Sequence, residues 1–204
     1  DAPNGRNIND ACGATSPQTL CEFVSGTGTG VSVDIGFAFD GDGDRLIAVD
    51  ENGRVVDGDR LIALSVIDRR DHNTLANNTV VVTVMSNLGF HQAMKQVGVN
   101  VVTTTVGDRY VLENMIANDY SLGGEQSGHV IMRQLANTGD GLLTALQIMQ
   151  EVVRTGKTLQ ELAATMVRFP QVLINVKDVA KEKLSESAVI ATAVKSAEDH
   201  LGDS

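Results

Sequence analysis

From Thr79 to Arg154, short runs rich in β-branched residues alternate with stretches of helical periodicity, and this alternation limits the fold more than any other feature of the chain. Strands are expected at Thr79 to Val84, Val99 to Thr104, Tyr120 to Gly123 and His129 to Arg133. Helices are expected at Asn87 to Val97, closed by Gly98, at Asp108 to Asn118 and at Asp140 to Arg154. Helices of about 11 to 15 residues between strands serve as crossover connections, so the strands they join run mainly parallel in one sheet. Two earlier strands, Val31 to Phe39 and Arg45 to Asp50, lead into Glu51-Asn52-Gly53-Arg54, whose Asn-Gly pair signals a hairpin. Asp57 to Arg70 starts acidic, ends basic and carries Leu61, Leu64 and Ile67, as a helix would. A short helix also fits Ser16 to Val24, with Ser16 as its cap, Pro17 at its first position and Gly26 at its end. The fold class is α/β, with mixed, mainly parallel sheets and flanking helices.

Two boundaries stand out. The polar string Asp71-His72-Asn73-Thr74, with Asn77-Asn78 beyond it, and the pair Phe169-Pro170 divide the chain into 1–72, 73–170 and 171–204. The last part is expected to hold a strand at Val172 to Asp178 and a helix near Ser185 to Leu201, the beginning of an incomplete domain. Residue 1 is Asp and not Met, so the chain is expected to be a piece of a longer protein.

Charge narrows the partners. Sixteen Lys and Arg against 26 Asp and Glu leave a net charge of −10, which repels nucleic-acid phosphates and anionic lipid; neither is an expected partner. No apolar stretch approaches the roughly 20 residues of a membrane helix, and the first residues lack a signal-peptide pattern, so a cytoplasmic location is expected. Cys12 and Cys21 have no second pair and read as reduced thiols.

The densest chemical signal is Asp40-Gly41-Asp42-Gly43-Asp44-Arg45, in the loop between the first two strands. In an extended loop, side chains at i, i+2 and i+4 point the same way, so three carboxylates converge and call for a cation. All-oxygen ligation selects Mg²⁺ or Ca²⁺. An acidic surface turn is the plain alternative. An EF-hand loop is a second one, since Asp40, Asp42, Asp44 and Glu51 fall at its positions 1, 3, 5 and 12, but Arg45 occupies the required glycine and the flanks read as strands.

Gly123-Gly124-Glu125-Gln126-Ser127-Gly128-His129, between two strands, brings a carboxylate, a hydroxyl and an imidazole to one turn, as polyol recognition would require; a simple hairpin is its alternative. Val106-Gly107-Asp108-Arg109-Tyr110 and Asn137-Thr138-Gly139-Asp140-Gly141 open two helices, where capping by Asp108 and by Thr138 or Asp140 is the plain reading. No GxGxxG, GxxxxGK[ST], HExxH, paired CxxC or GxSxG motif occurs, which removes support for the common dinucleotide, P-loop, zinc-protease and α/β-hydrolase readings.

Taken in order, DGDGDR and GEQSGH resemble the α-D-phosphohexomutase superfamily. Pro3-Asn4-Gly5-Arg6-Asn7-Ile8-Asn9 with Cys12-Gly13-Ala14-Thr15, Val106-Gly107-Asp108-Arg109-Tyr110-Val111 and Thr138-Gly139-Asp140-Gly141 are similar in particular to the bacterial phosphoglucosamine mutases. The likeness weakens after about Lys177. It implies phosphohexomutase-type domains and the interconversion of glucosamine 6-phosphate and glucosamine 1-phosphate through a phosphoserine and a bisphosphorylated sugar, on the route to UDP-N-acetylglucosamine and peptidoglycan precursors. By the same resemblance Asp40, Asp42 and Asp44 are Mg²⁺ ligands and Arg45 is the adjoining catalytic arginine. Glu125, Ser127 and His129, with Gly107 and Arg109, bind the phosphosugar substrate. No Ser-His-Asn-Pro nucleophile loop and no Arg-x-Ser-Gly-Thr phosphate loop occurs, so the chain is expected to hold the end of domain 2, domain 3 and the start of domain 4, and to be inactive alone. Surfaces left by missing domains are expected to favour self-association, as a homodimer or between fragments. A phosphomannomutase or phosphoglucomutase of the same superfamily, or a non-catalytic divalent-cation module, is the alternative.

Overall fold

An inner strand of the larger sheet, β4 (Thr79–Thr83), a Thr-Val-Val-Val-Thr run, is buried along its whole length. Such a run suits a strand covered on both faces. The computed structural model describes residues 4–26, 32–174, 176–178, 184 and 186–201, so Pro3, Val31 and Ser185, which belong to the expectations above, lie outside the described residues. β4 pairs in parallel with β5 (Asn100–Thr104) on one side and β6 (Leu122–Gly124) on the other, and β7 (Val130–Met132) adds antiparallel to β6, giving the order β5-β4-β6-β7. The connections are helical: α3 (Leu88–Gln96) between β4 and β5, α4 (Asp108–Ala117) between β5 and β6. The second of these crosses over β4, so the two crossovers run in opposite directions along the sheet.

A smaller antiparallel sheet precedes it. β1 (Ile35–Phe39), β2 (Leu46–Asp50) and β3 (Val55–Val56) form a meander, with Phe39 opposite Leu46. The Asn-Gly signal closes the second hairpin over Glu51 to Gly53, where Gly53 sits at φ +74° and Asp50 Oδ1 accepts the amides of Asn52 and Arg54. A left-handed residue ending a three-residue loop is the role glycine fills without strain.

Between the sheets lies α2 (Gly58–Asp71). Leu61 and Leu64 pack with β2, β3 and α5 (Gly141–Thr155) in one cluster, while Ile62, Ala63 and Val66 pack with β4, β6 and α3 in another. The expected stripe of Leu61, Leu64 and Ile67 is therefore corrected: Leu61 to Val66 is buried without a break and Ile67 only half so. A helix with protein on two sides needs apolar residues on both. α4 covers the opposite face of the large sheet through Val111 and Met115 against Val81 and Ile131. α6 (Leu159–Ala163), absent from the expectations, starts with a capping box in which Thr158 and Glu161 exchange side-chain and backbone hydrogen bonds. α1 (Gln18–Val24) begins one residue later than expected, with Pro17 at its cap and Ser16 Oγ donating to the Gln18 side chain. Cys12 and Cys21 are free thiols.

The chain divides into two compact units, Asp1–Phe169 and Pro170–Ser204. The sequence boundary at 72–73 falls inside the first, between α2 and β4. That unit ends on a clamp. Asn87 caps α3 by accepting the Gly89 amide, and the same side chain accepts the Phe169 amide (2.9 Å) and donates to the Phe169 carbonyl (2.9 Å). In the second unit α7 (Ala188–Leu201) is helical as expected, but the described residues of Val172 to Asp178 are not a strand. No neighbouring strand is present among the described residues, and an extended segment without one leaves its backbone groups to water. Among the described residues no helix is long and apolar enough to cross a membrane.

Glu151 on α5 is buried beside the end of α2, and burial, with Asp68 and Asp71 adding repulsion, pushes its carboxyl from 4.5 to about 7. Asp59, wholly buried in the first turn of α2, is pushed from 3.8 to about 6, again chiefly by burial. The folded chain thus keeps both protons where the unfolded chain has released them, so these groups' contribution to stability is full below about pH 4 and is lost as pH rises through about 6 and 7. Glu151→Gln is expected to raise the melting midpoint at pH 8 by a few degrees, with little effect at pH 4.5; equal shifts at both values in thermal melts would contradict this.

Candidate functional site

The loop from Asp40 to Arg45 links two paired antiparallel strands, which excludes a helix-loop-helix cation site. It is folded tightly: the Gly43 amide donates to the Asp40 carbonyl (3.2 Å), and the Arg45 amide donates to Asp40 Oδ1 (3.1 Å). One carboxylate oxygen from each of Asp40, Asp42 and Asp44 lies within 4.8 Å of the others. Burial raises the Asp44 carboxyl above its ordinary range; Asp40 and Asp42 add to the rise and His129 opposes it. Asp44 Oδ1 is buried with no hydrogen-bond partner. Three converging carboxylates with a buried orphan oxygen form an all-oxygen set that fits a hard divalent ion such as Mg²⁺. The Arg45 guanidinium stands nearby, its Nε 3.6 Å from Asp40 and 3.8 Å from Asp44, too far for hydrogen bonds.

The turn Glu125 to Gly128 faces this loop. The Leu46 amide donates to the Gly128 carbonyl (3.0 Å), and the Gly58 amide at the start of α2 donates to the Gln126 carbonyl (3.1 Å). Gly128, at φ +97°, approaches the Leu46 carbonyl so closely that a side chain would collide with it. Glu125 Oε1 accepts the Gly107 amide (3.0 Å), tying this turn to the loop before α4. A cleft of about 330 Å³ is lined by Arg45, Thr83, Met85, Val106, Glu125, Gln126 and Ser127. Thr83 ends β4 and Glu125 follows β6, so the cleft sits beyond the carboxyl ends of parallel strands, where successive crossovers part. Open α/β sheets leave a crevice at that point.

Arg45, Gly107, Glu125 and Ser127 are thus brought together at the cleft, next to the three aspartates. Arg109 is not: its exposed guanidinium pairs with Glu113 one turn along α4 (2.7 Å). His129 is on the turn but its ring is buried, with Nε2 3.4 Å from Asp44 Oδ2 and 3.9 Å from Asp108 Oδ2. The expected cap by Asp108 is corrected: Gly107 holds the cap position of α4, and Asp108 accepts only its neighbour's amide, from Arg109. Asp140, not Thr138, caps α5 by accepting the Leu143 amide (2.9 Å). The sequence reading gave no site role to Gly58, Gly139 or Gly141. A Cβ at Gly139 would strike the His129 ring, and one at Gly141 the Arg45 carbonyl (2.6 Å), while the Gly141 amide donates to the Gly43 carbonyl (2.8 Å). The phrase Thr138-Gly139-Asp140-Gly141 carried that signal as two glycines flanking a cap.

Residues 57–169 match the model for phosphoglucomutase/phosphomannomutase, alpha/beta/alpha domain III. The phosphoglucosamine mutase of a Nocardioides species is 53% identical over 202 residues, covering 99% of this chain and 44% of the relative. That of Mycobacterium tuberculosis is 50% identical over 201 residues, 98% of this chain and 44% of the relative. The chain therefore spans less than half the length of these curated relatives. Its fold is similar to that of a phosphoglucomutase/phosphomannomutase family protein from Burkholderia thailandensis, with TM-score 0.65 and 24% identity over 77% of this chain and 32% of that one. It is also similar to Aspergillus fumigatus N-acetylphosphoglucosamine mutase in complex with GlcNAc-6P and magnesium, with TM-score 0.62 and 20% identity over 79% and 38%.

Because Gly139 lies flush against the ring of His129 and the Asp44 carbonyl (2.7 Å from where a Cβ would stand), Gly139→Ala overpacks the site. Overpacking costs about 1–3 kcal/mol, so the melting midpoint is expected to fall by roughly 2–10 °C. A variant that melts with the unaltered chain would show that the contact is looser than described.

Proposed function

The chain belongs to the phosphoglucomutase/phosphomannomutase family, and from that premise we propose that it works in a phosphoglucosamine mutase, converting glucosamine 6-phosphate to glucosamine 1-phosphate and back. One observation carries the reading: an acidic triad, an arginine and the Glu125-Ser127 turn meet at one crevice beyond the carboxyl ends of β4 and β6. The sugar's name rests on the relatives, which are 50% and 53% identical and are called phosphoglucosamine mutases. The protein acts in the cytoplasm, on a phosphosugar, as part of a longer polypeptide that supplies a phosphoserine; this chain carries the end of domain 2, domain 3 and the start of domain 4.

Phosphoryl transfer depends on alignment and on charge neutralisation more than on covalent help from many groups. Asp40, Asp42 and Asp44 hold Mg²⁺, which when bound offsets the negative charge of the transferring phosphoryl group. Arg45 is the positive group that this chain itself brings, and its loose pairing with Asp40 and Asp44 leaves it able to turn to a phosphate oxygen. Glu125 accepts from a sugar hydroxyl, its carboxylate already aimed by the Gly107 amide, and Ser127 both donates and accepts. These roles suit a sugar that must bind in two orientations, since each hydroxyl can be read as donor or acceptor. Arg109 grips a phosphate after release from Glu113. Self-association runs through the exposed stripe Leu142, Leu146, Met149 and Val153 on α5.

In the longer protein, Glu125→Ala is expected to lower kcat/KM for glucosamine 6-phosphate by about 10- to 100-fold, the loss for a hydrogen bond with a charged partner, and Ser127→Ala by about 2- to 10-fold, the loss for a neutral pair. Their melts should stay cooperative; loss of the cooperative melt would make the turn structural. Turnover of glucose 6-phosphate or mannose 6-phosphate above that of the amino sugar would move the assignment to a phosphoglucomutase or phosphomannomutase. The chain alone, without a Ser-His-Asn-Pro loop, is expected to show no turnover of glucosamine 6-phosphate.

A further inference from the structure

We propose that the cleft at the end of α2 remote from the crevice is a second ligand site, suited to a small zwitterion that carries an ammonium, an anionic group and hydroxyls, the chemistry of an amino sugar phosphate. α2 starts on the Gln126 turn, and its 14 residues, at about 1.5 Å each, place its last turn roughly 20 Å away.

This cleft has a volume of about 370 Å³, within the range of small-molecule sites. Asp68, Arg69 and His72 from the end of α2, Gln134 from the loop after β7, and Glu151 and Arg154 from α5 line it. Asp68 is already paired, since its Oδ1 meets Arg154 and, at 3.1 Å, His72 Nδ1. Glu151 stands otherwise: it is 7% exposed, and among the described residues its carboxylate enters no hydrogen bond and no ion pair. Arg69, 8% exposed, forms no ion pair among the described residues either, its Nη1 donating instead to Gln134 Oε1 (3.2 Å). A buried carboxylate and a buried guanidinium in one cleft, not joined to each other, leave a place for a cation and a place for an anion.

Thr74, Gln147 and Gln150 add a hydroxyl and amides, which donate as well as accept, and Leu135 is the single apolar side chain among the described lining residues. Such a lining suits a ligand rich in hydroxyls and not a hydrocarbon one. Burial, then the repulsion of Asp68, pushes the Glu151 carboxyl to about 7, with Arg154 and His72 opposing and Asp71 adding a smaller push. Arg69 is the remaining charge on α2 at the cleft, and the facing loop residues, Gln134 and Leu135, carry none. An ammonium against Glu151 favours the ionised carboxylate, so binding tightens as pH rises toward 7. These lining residues select the ligand independently of the substrate proposed for the crevice.

Amide NMR of the ¹⁵N-labelled chain during titration with glucosamine 6-phosphate locates the binding. Saturable shifts are expected over Asp68 to Thr74 and Gln147 to Arg154, separate from those over Asp40 to Arg45 and Glu125 to Gly128 that report the crevice. Glucosamine, which lacks the anion, and glucose 6-phosphate, which lacks the ammonium, are each expected to bind this cleft at least about tenfold more weakly, the loss for one charged hydrogen bond. Glycine, a zwitterion without hydroxyls, is expected to bind weakly too, and glycine binding as tightly as the amino sugar phosphate would overturn the ligand class. Glu151→Gln and Arg69→Gln are each expected to weaken binding here about tenfold; if the Arg69 variant does not fold, Glu151→Gln decides. Between pH 5.5 and 7 the affinity is expected to rise about tenfold, a gain that Glu151→Gln loses and His72→Gln keeps. Unchanged affinity in Glu151→Gln, or shifts confined to the crevice, overturns the site. Shifts confined to this cleft uphold it and count against the catalytic reading alone, and shifts at neither place overturn both.

Discussion

Two backbone hydrogen bonds hold the site in register: the Leu46 amide to the Gly128 carbonyl, and the Gly58 amide to the Gln126 carbonyl. The first joins the small sheet to the turn after β6, directly beyond the acidic loop. The second seats the start of α2 on the same turn. Neither donor has an alternative within its own element, because Leu46 opens a strand and Gly58 is in the first turn of a helix. Both bonds are therefore close to obligatory, and they bring the acidic loop and the Glu125-Ser127 turn to one crevice without any side chain having to reach across.

That arrangement needs α2 to be buried on both sides. Its Leu61 and Leu64 belong to the core of the small sheet, and Ile62, Ala63 and Val66 to the core of the large one. Each Leu, Ile or Val side chain so buried contributes about 1.5–3 kcal/mol relative to exposure, more than a typical hydrogen bond between neutral groups. The burial of Asp59 in the first turn of the same helix is a cost accepted there: its carboxylate receives the Asn87 amide (2.7 Å) and is still pushed to about 6 by loss of water. Packing holds the helix in place, and the hydrogen bonds at its start set its height against the turn.

Much of this was legible in the chain because local chemistry agreed with the global fold. The Val-rich run of β4 points to a buried strand and the spacing of the Asp-Gly repeat to three converging carboxylates, and both are found. What could not be read was whatever depends on partners distant in sequence. Continuous burial of Leu61 to Val66 required knowing that α2 has a sheet on either side. The strand expected at Val172 to Asp178 failed for the opposite reason, since β-branched residues show propensity but not a neighbour. His129 sits in the same phrase as Glu125 and Ser127, yet a strand start separates their directions, and only the fold shows its ring turned toward Asp44. Gly139 and Gly141 read as a helix entrance, and their close approach to His129 and Arg45 is a tertiary fact.

The clamp at Asn87 bears on which residues can replace one another. At a helix start Asn, Asp, Ser and Thr are ordinarily near-equivalents, because each supplies an oxygen to an amide one turn ahead. Here the oxygen serves the Gly89 and Phe169 amides while the nitrogen of the same side chain grips the Phe169 carbonyl. Aspartate would keep the cap and set a carboxylate oxygen against that carbonyl, acceptor to acceptor, and serine would be too short to span both. The usual synonymy of capping residues is suspended at this position, and an amide is the one member of the set that can both begin α3 and fasten the strand of chain leaving for Pro170.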